Sequence, residues 1–412
     1  MSIDLIFEKK GRFLIAISGF FITLLLGVLY SWGVFVNPLE QEFGWTRAQA
    51  TLPYTVASIV FAVGMIFAGF IQDRKGPRFV AFLGGLFSGL GFIISYFTNS
   101  ILFLTTIFGI MGGFGMALGY SGAVSSGIKC FPDKKGLATG LVVGGFGFGA
   151  FLWAPLSTFL IHKFGFRITF LILGFILIIA ISIFSNFLRN PPDGWIPTSF
   201  EKSSSKKYTP EYTGKDFTLG MMLKTSVFWL MWLHYILATS PGIMIIVHLN
   251  PIAVEYGGFT PIAASFLISM LSIFNLLGRF FLGPLSDKVG RLKTFTLIGS
   301  MVLLSMIILF IAHYFNLLFY ILPVIAGISY GGYLALSPSF TADVFGTKYY
   351  GVDYGAMFTA WGVAGILGPY LAGFLHDLTK SYTLTILIFS IFSLCAITIS
   401  IYVRKSNLIK KL

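Results

Sequence analysis

Long apolar runs separated by short polar punctuation recur from one end of this chain to the other. Twelve stand out: residues 12–37, 48–71, 79–98, 101–128, 137–161, 167–188, 226–250, 261–285, 294–314, 317–341, 352–375 and 381–403. Each is long enough to cross a hydrocarbon core of about 30 Å as a helix. None is a roughly ten-residue alternating segment of the kind that builds a membrane barrel. The pattern predicts an all-α membrane protein with twelve transmembrane helices. The first run reads as a retained helix, because it is too long for a signal peptide and no small-residue cleavage site follows it. Asn37-Pro38 and Asn250-Pro251 are read as closing spans 1 and 7.

One long polar segment interrupts the pattern, "RNPPDGWIPTSFEKSSSKKYTPEYTGKD", between spans 6 and 7. Its proline, serine and lysine content cannot bury a core and marks a linker. The expected organisation is a six-helix bundle over 1–188, a linker loop over 189–225 and a second six-helix bundle over 226–412.

Composition agrees: 56% of residues are apolar and 10% charged, where a soluble domain carries about 25% charged residues. The net charge of +13 could suggest a nucleic-acid partner, but its distribution argues for topology. With both termini in the cytoplasm, 23 of the 28 Lys and Arg fall in cytoplasmic segments. Outer loops hold only Arg47, Lys163, Arg167 and Lys380. That positive-inside bias sets the orientation and places the chain as a multi-pass protein of the inner or plasma membrane. No phosphate loop, metal cluster or acid–base pair lies in a span, so an enzyme is not expected, nor is a cofactor. Cys130 and Cys395, the two cysteines, suggest neither a disulfide framework nor a metal site.

The halves repeat each other. Gly69 and Gly283, Asp73 and Asp287, and Pro155 and Pro369 are each 214 residues apart. Gly136 and Gly140 match Gly351 and Gly355 at an offset of 215. With "GFIQDRKGPR" after span 2 and "GPLSDKVGRL" after span 8, this doubled layout resembles the major facilitator superfamily. The resemblance implies two bundles rocking about a central site. In the doubled motif Asp73 and Asp287, with Arg74 and Lys288, can bridge to helix ends across the cytoplasmic face. Asp353 is an expected partner for the first loop, which makes these five the expected gating residues.

One basic residue remains inside a span. Arg279 lies about 12 Å above Asp287 at about 1.5 Å per residue, and every Asp and Glu lies in a loop or, like Asp353, at the border of a span, so none pairs with it at its own depth. Snorkelling to the headgroups is the competing reading. Helical side chains lean toward their helix N-terminus, which here points Arg279 back toward the bilayer centre. The repeat places Met65 at the equivalent position of span 2, so the scaffold itself demands no charge there. A mid-helix arginine costs about 2.5–3.5 kcal/mol on insertion scales and usually faces an aqueous cavity. An unpaired guanidinium offers a planar fork that suits a carboxylate, so the expected cargo is a small organic anion. Asn275, at i−4, shares the face of Arg279.

"GVLYSWGVF", "NPPDGWIP", "MLKTSVFWLMWLHY", Asn275 and Arg279 together resemble the monocarboxylate transporters and the bacterial oxalate/formate antiporter group. Bacterial lactate-type carriers are the nearest pattern. The resemblance implies that Arg279 binds the carboxylate with help from Asn275. It also implies that Tyr120 and Tyr330 present hydroxyls, that Leu29 and Phe146 form an apolar wall, and that His248 takes a substrate hydroxyl or a proton. Interhelix hydrogen bonding competes for the tyrosines, helix packing for Leu29 and Phe146, and a structural imidazole for His248. Trp361 stands where the oxalate/formate group has a second cation. Asn275 stands where animal carriers have a titrating Asp. The expected function is proton-coupled transport of small monocarboxylates, lactate or pyruvate in type, with the proton on His248 or on the substrate carboxylate. Anion exchange of the oxalate/formate kind and a sensor on a carrier fold are the alternatives. The expected partners are a small organic anion, a proton and the lipid bilayer, and the carrier is expected to act as a monomer without nucleic acid.

Overall fold

A computed structural model describes residues 9–131, 135–191, 213–312, 314–346 and 350–412. Helix α1 is three consecutive stretches: Lys9–Leu26, the 3-10 turn Gly27–Ser31, and Gly33–Phe43. It is followed by α2 (Arg47–Lys75) and α3 (Pro77–Ser95). Next comes α4, which runs as Ile101–Leu104, a π-helical stretch Thr105–Gly112, and Gly113–Cys130. Lys135–Ser185 is one helical run that turns at Gly165, where φ is +79°; we number its two arms α5 and α6. Then come α7 (Ser226–Gly257), α8 (Pro261–Val289), α9 (Arg291–Ala312) and α10 (Leu318–Phe345). The last two are α11 (Tyr350–Ile366, π-helical Leu367–Leu371, Ala372–Thr379) and α12 (Thr383–Lys405). Because the α5–α6 run holds two crossings, these are the twelve spans that the apolar pattern predicts.

Local chemistry sets the ends. A capping box at Thr46 and Gln49 starts α2, and Thr260 with Pro261 starts α8. Two expected ends need correction. Asn37-Pro38 and Asn250-Pro251 do not close α1 and α7, since both helices run on through the prolines to Phe43 and Gly257. Proline removes one intrahelical bond but holds a helical φ, and neighbouring helices can satisfy the freed carbonyl. The ends come instead at Gly44 and Gly258, both left-handed at φ +64°, a conformation that favours glycine.

Small residues then bring the helices together. A Cβ on Gly27 would lie 2.8 Å from the Cα of Gly149, so α1 and α5 touch backbone to backbone beside Leu29 and Tyr30. Gly278 and Gly331 bring α8 and α10 equally close, Gly331 against the Asn275 backbone. Across the halves, Gly365 and Gly362 of α11 meet Ser58 and Ala62 of α2, and Gly147 of α5 meets α8. Large apolar side chains such as Phe67, Phe159, Phe281 and Ile391 stay exposed around the outside, as a lipid-facing surface requires.

Candidate functional site

The turn-by-turn stacking of α8 brings Asn275 and Arg279 together. Arg279 Nε donates to Asn275 Oδ1 at 3.1 Å, and Nη1 donates across the halves to the Val143 carbonyl of α5 at 2.8 Å. Arg279 is 4% exposed and Asn275 fully buried. Both acceptors are neutral, and among the described residues no carboxylate pairs with this guanidinium. The Asn275 amide nitrogen is buried without any acceptor. Space here depends on Gly147, where a Cβ would lie 2.5 Å from Asn275 Oδ1 and 2.9 Å from Arg279 Nη2. The result is a desolvated positive charge with unused N–H donors beside it.

An aromatic shell closes round this pair. Tyr330 on α10 meets Tyr30 on α1, hydroxyl to hydroxyl at 3.1 Å, and the Trp361 indole N–H donates to the Tyr330 oxygen at 2.8 Å. Phe146 sits edge-on to both Tyr30 and Tyr120, with centroids 4.9 and 5.6 Å apart. Phe61 joins Tyr120, Phe146 and Trp361. Leu29 is buried in the same 3-10 turn as Tyr30. Of the residues expected from the sequence, Arg279, Asn275, Tyr120, Tyr330, Phe146 and Leu29 therefore gather here. Tyr30 and Phe61 belong to the same shell but were not read as site residues, and Trp361, read as standing at the place of a second cation, joins them. Only "GVLYSWGVF" hinted at Tyr30.

His248 lies elsewhere. Its Nε2 meets the Pro369 carbonyl at 2.9 Å, and its Nδ1 meets the Tyr382 hydroxyl at 2.9 Å. A carbonyl only accepts, so Nε2 carries a proton. The π-helical turn around Pro369 presents that carbonyl. Tyr382 in turn accepts from Arg47 Nη1 at 2.9 Å.

Arg47 anchors a second cluster, at the face opposite the termini. Its guanidinium grips Glu40 at 2.5 and 2.9 Å and also bonds Glu255. The backbone N–H groups of Arg47 and Ala48 donate to Asp377 at 3.0 and 2.9 Å. His376 stands 3.5 Å from Glu255. Charges from α1 and α2 thus interlock with α7, α11 and the residues before α12, and Arg47 is only 4% exposed. This ionic cluster ties the halves together on the face away from the termini.

The expected gating residues are arranged differently from the sequence reading. The Asp73 side chain lies outside the described residues. Arg74 and Lys288 are exposed. Asp287 pairs with Arg291 at 2.6 Å, and Arg291 also reaches Asp343 at the end of α10 at 2.9 Å. Arg291, not Lys288, is the cation that holds this corner, because its longer fork spans two carboxylates. Asp353 is fully buried at the start of α11, and neither of its oxygens has a hydrogen-bond partner. It does not take up a bond to the first loop.

The profile of the Major Facilitator Superfamily matches residues 13–369 and 242–410. The chain is 29% identical to an oxalate:formate antiporter of Oxalobacter formigenes over 360 residues, covering 86% of this chain and 82% of that protein. It is 28% identical to monocarboxylate transporter 12 of Xenopus laevis over 397 residues, covering 91% and 85%. The solved structure of a bacterial homolog of the human lysosomal transporter Spinster, inward-facing and unoccupied, superposes with a TM-score of 0.72. It is 17% identical and covers 95% of this chain and 98% of its own.

Proposed function

This chain belongs to the major facilitator superfamily, a multi-pass membrane transporter, and from that premise we propose that it carries small monocarboxylates of the lactate or pyruvate type in symport with protons. The observation that carries the reading is the Arg279 guanidinium, desolvated among neutral acceptors with the Asn275 amide idle beside it. A substrate carboxylate would neutralise the charge and use both sets of donors. The closed aromatic shell of Phe61, Phe146, Tyr120 and Trp361 suits a short carbon chain and excludes a long one. With one cation in the site, one carboxylate is the matching charge.

In this proposal the halves, 1–188 and 226–412, rock about the site, with both termini in the cytoplasm of a cell-membrane carrier that acts as a monomer. His248 is the proton acceptor. Charging its Nδ1 would break the bond it accepts from Tyr382, and Tyr382 is tied to Arg47. Proton uptake would therefore loosen the ionic layer on the outer face. Exchange of the oxalate/formate kind is the second reading, favoured by the 29% identical antiporter. Proteoliposomes decide between them. Symport predicts uptake of labelled lactate driven by an inward proton gradient, with oxalate a poor competitor. Oxalate-driven counterflow indifferent to the gradient would establish exchange instead, and binding without counterflow would indicate a sensor.

A further inference from the structure

The repeated halves differ at one corner of the termini face. In the C-terminal half, the cation that follows the Gly-Asp motif is Arg291. It is 6% exposed and saturated by Asp287, Asp343 and Ser286. In the N-terminal half the 214-residue offset puts Pro77 at that position, and the cations beside it are Lys75 at the end of α2 and Arg78 at the start of α3. Both are exposed, and among the described residues neither meets a carboxylate. Arg78 bonds the neutral Asn186 side chain, whose own amide is committed to the Ser182 carbonyl at 2.7 Å. Between these groups opens a pocket of about 410 Å³, completed by Ser185 of α6 and bordered by Phe79 and Phe82 of α3.

The pocket sits where apolar α2 gives way to charge and apolar α3 begins. Phe79 and Phe82 are 45% and 41% exposed, one helical turn apart, and turn apolar surface toward the bilayer. Two cations that meet no carboxylate among the described residues, at headgroup depth over aromatic rings at acyl depth, form an amphipathic receptor. A soluble anion would use only its upper half. We propose that this pocket binds the phosphate headgroup of an anionic phospholipid from the leaflet on the termini face, with Lys75 and Arg78 as the charge partners and the acyl chains lying over Phe79 and Phe82.

The test uses the full-length carrier in detergent, with bound lipid counted by native mass spectrometry and stability read by thermal shift. Phosphatidylglycerol, phosphatidylcholine, glycerol phosphate and inorganic phosphate are added separately. Phosphatidylglycerol is expected to bind and stabilise, while the other three leave the protein unchanged. Each basic group near an anionic surface contributes a factor of about five, so K75Q/R78Q is expected to weaken phosphatidylglycerol binding about 25-fold. K75R/R78K keeps the charges and is expected to retain binding, which separates charge from misfolding. R404Q/K405Q, which removes two exposed charges from the same face, is expected to stay within twofold of the parent. Equal protection by free phosphate would make this a soluble-anion site and overturn the lipid assignment. So would undiminished binding by K75Q/R78Q, or an equal loss in R404Q/K405Q.

Discussion

Replacing Arg279 with lysine keeps the charge and removes the fork. The guanidinium has five N–H donors, of which Nε and one on Nη1 are committed to Asn275 and Val143. Those that remain can take a carboxylate through two parallel bonds. A lysine ammonium, a point charge on a flexible stem, can hold one carboxylate oxygen well but not both in that plane. The difference is one charge-assisted hydrogen bond, about 1.5–3 kcal/mol, or roughly 10- to 150-fold in affinity at about 1.4 kcal/mol per tenfold. Arg279→Lys is therefore expected to bind lactate about 10- to 150-fold more weakly, while the purified protein remains monodisperse. Equilibrium binding of labelled lactate, set beside counterflow in proteoliposomes, reads the effect directly. Affinity within twofold of the parent would refute the reasoning and take Arg279 out of the site.

Further outcomes follow from neighbouring geometry. Trp361→Lys adds a second cation at the shell in place of the N–H given to Tyr330, and is expected to improve competition by oxalate; unchanged competition would dismiss the second-cation argument. Gly147→Ala places a methyl group against both Asn275 Oδ1 and Arg279 Nη2. It should depress binding far more than melting temperature, checked by measuring both. Glu255→Gln removes one charge from the partly exposed ionic layer, worth about 1 kcal/mol or roughly fivefold in the open-to-closed ratio. Faster maleimide labelling of a Val247→Cys probe from the opposite face would report it. His248→Gln is expected to retain lactate counterflow while losing acceleration by a proton gradient, and acceleration at the parent level would remove His248 from coupling.

The spans, the pairing of the repeats and the central charge were legible in the sequence because each is a local or countable property. A run of apolar residues is a span wherever it packs, and Arg279 emerges as soon as cations are assigned to loops. Asn275 followed from helical spacing alone. What escaped depends on contacts between distant segments. Arg47 counts as an ordinary loop cation until Glu40, Glu255, Asp377 and Tyr382 converge on it. Tyr30 became a site residue only through Tyr330, 300 positions away. His248 was read as taking a substrate hydroxyl or a proton, and its partners at Tyr382 and Pro369 emerge only from the packing of α7 against α11. Pro38 and Pro251 misled for the opposite reason, because a local rule about helix ends yielded to packing around them.

The amides of Arg47 and Ala48 begin α2, and the first N–H groups of a helix have no partner within it. Here the Asp377 carboxylate serves them from the other half. In the proposed rocking cycle, those amides and that carboxylate must all find solvent when the halves part on that side. Such a cycle would carry a swing in hydration at one small spot, and osmotic pressure would then tune the balance between closed and open.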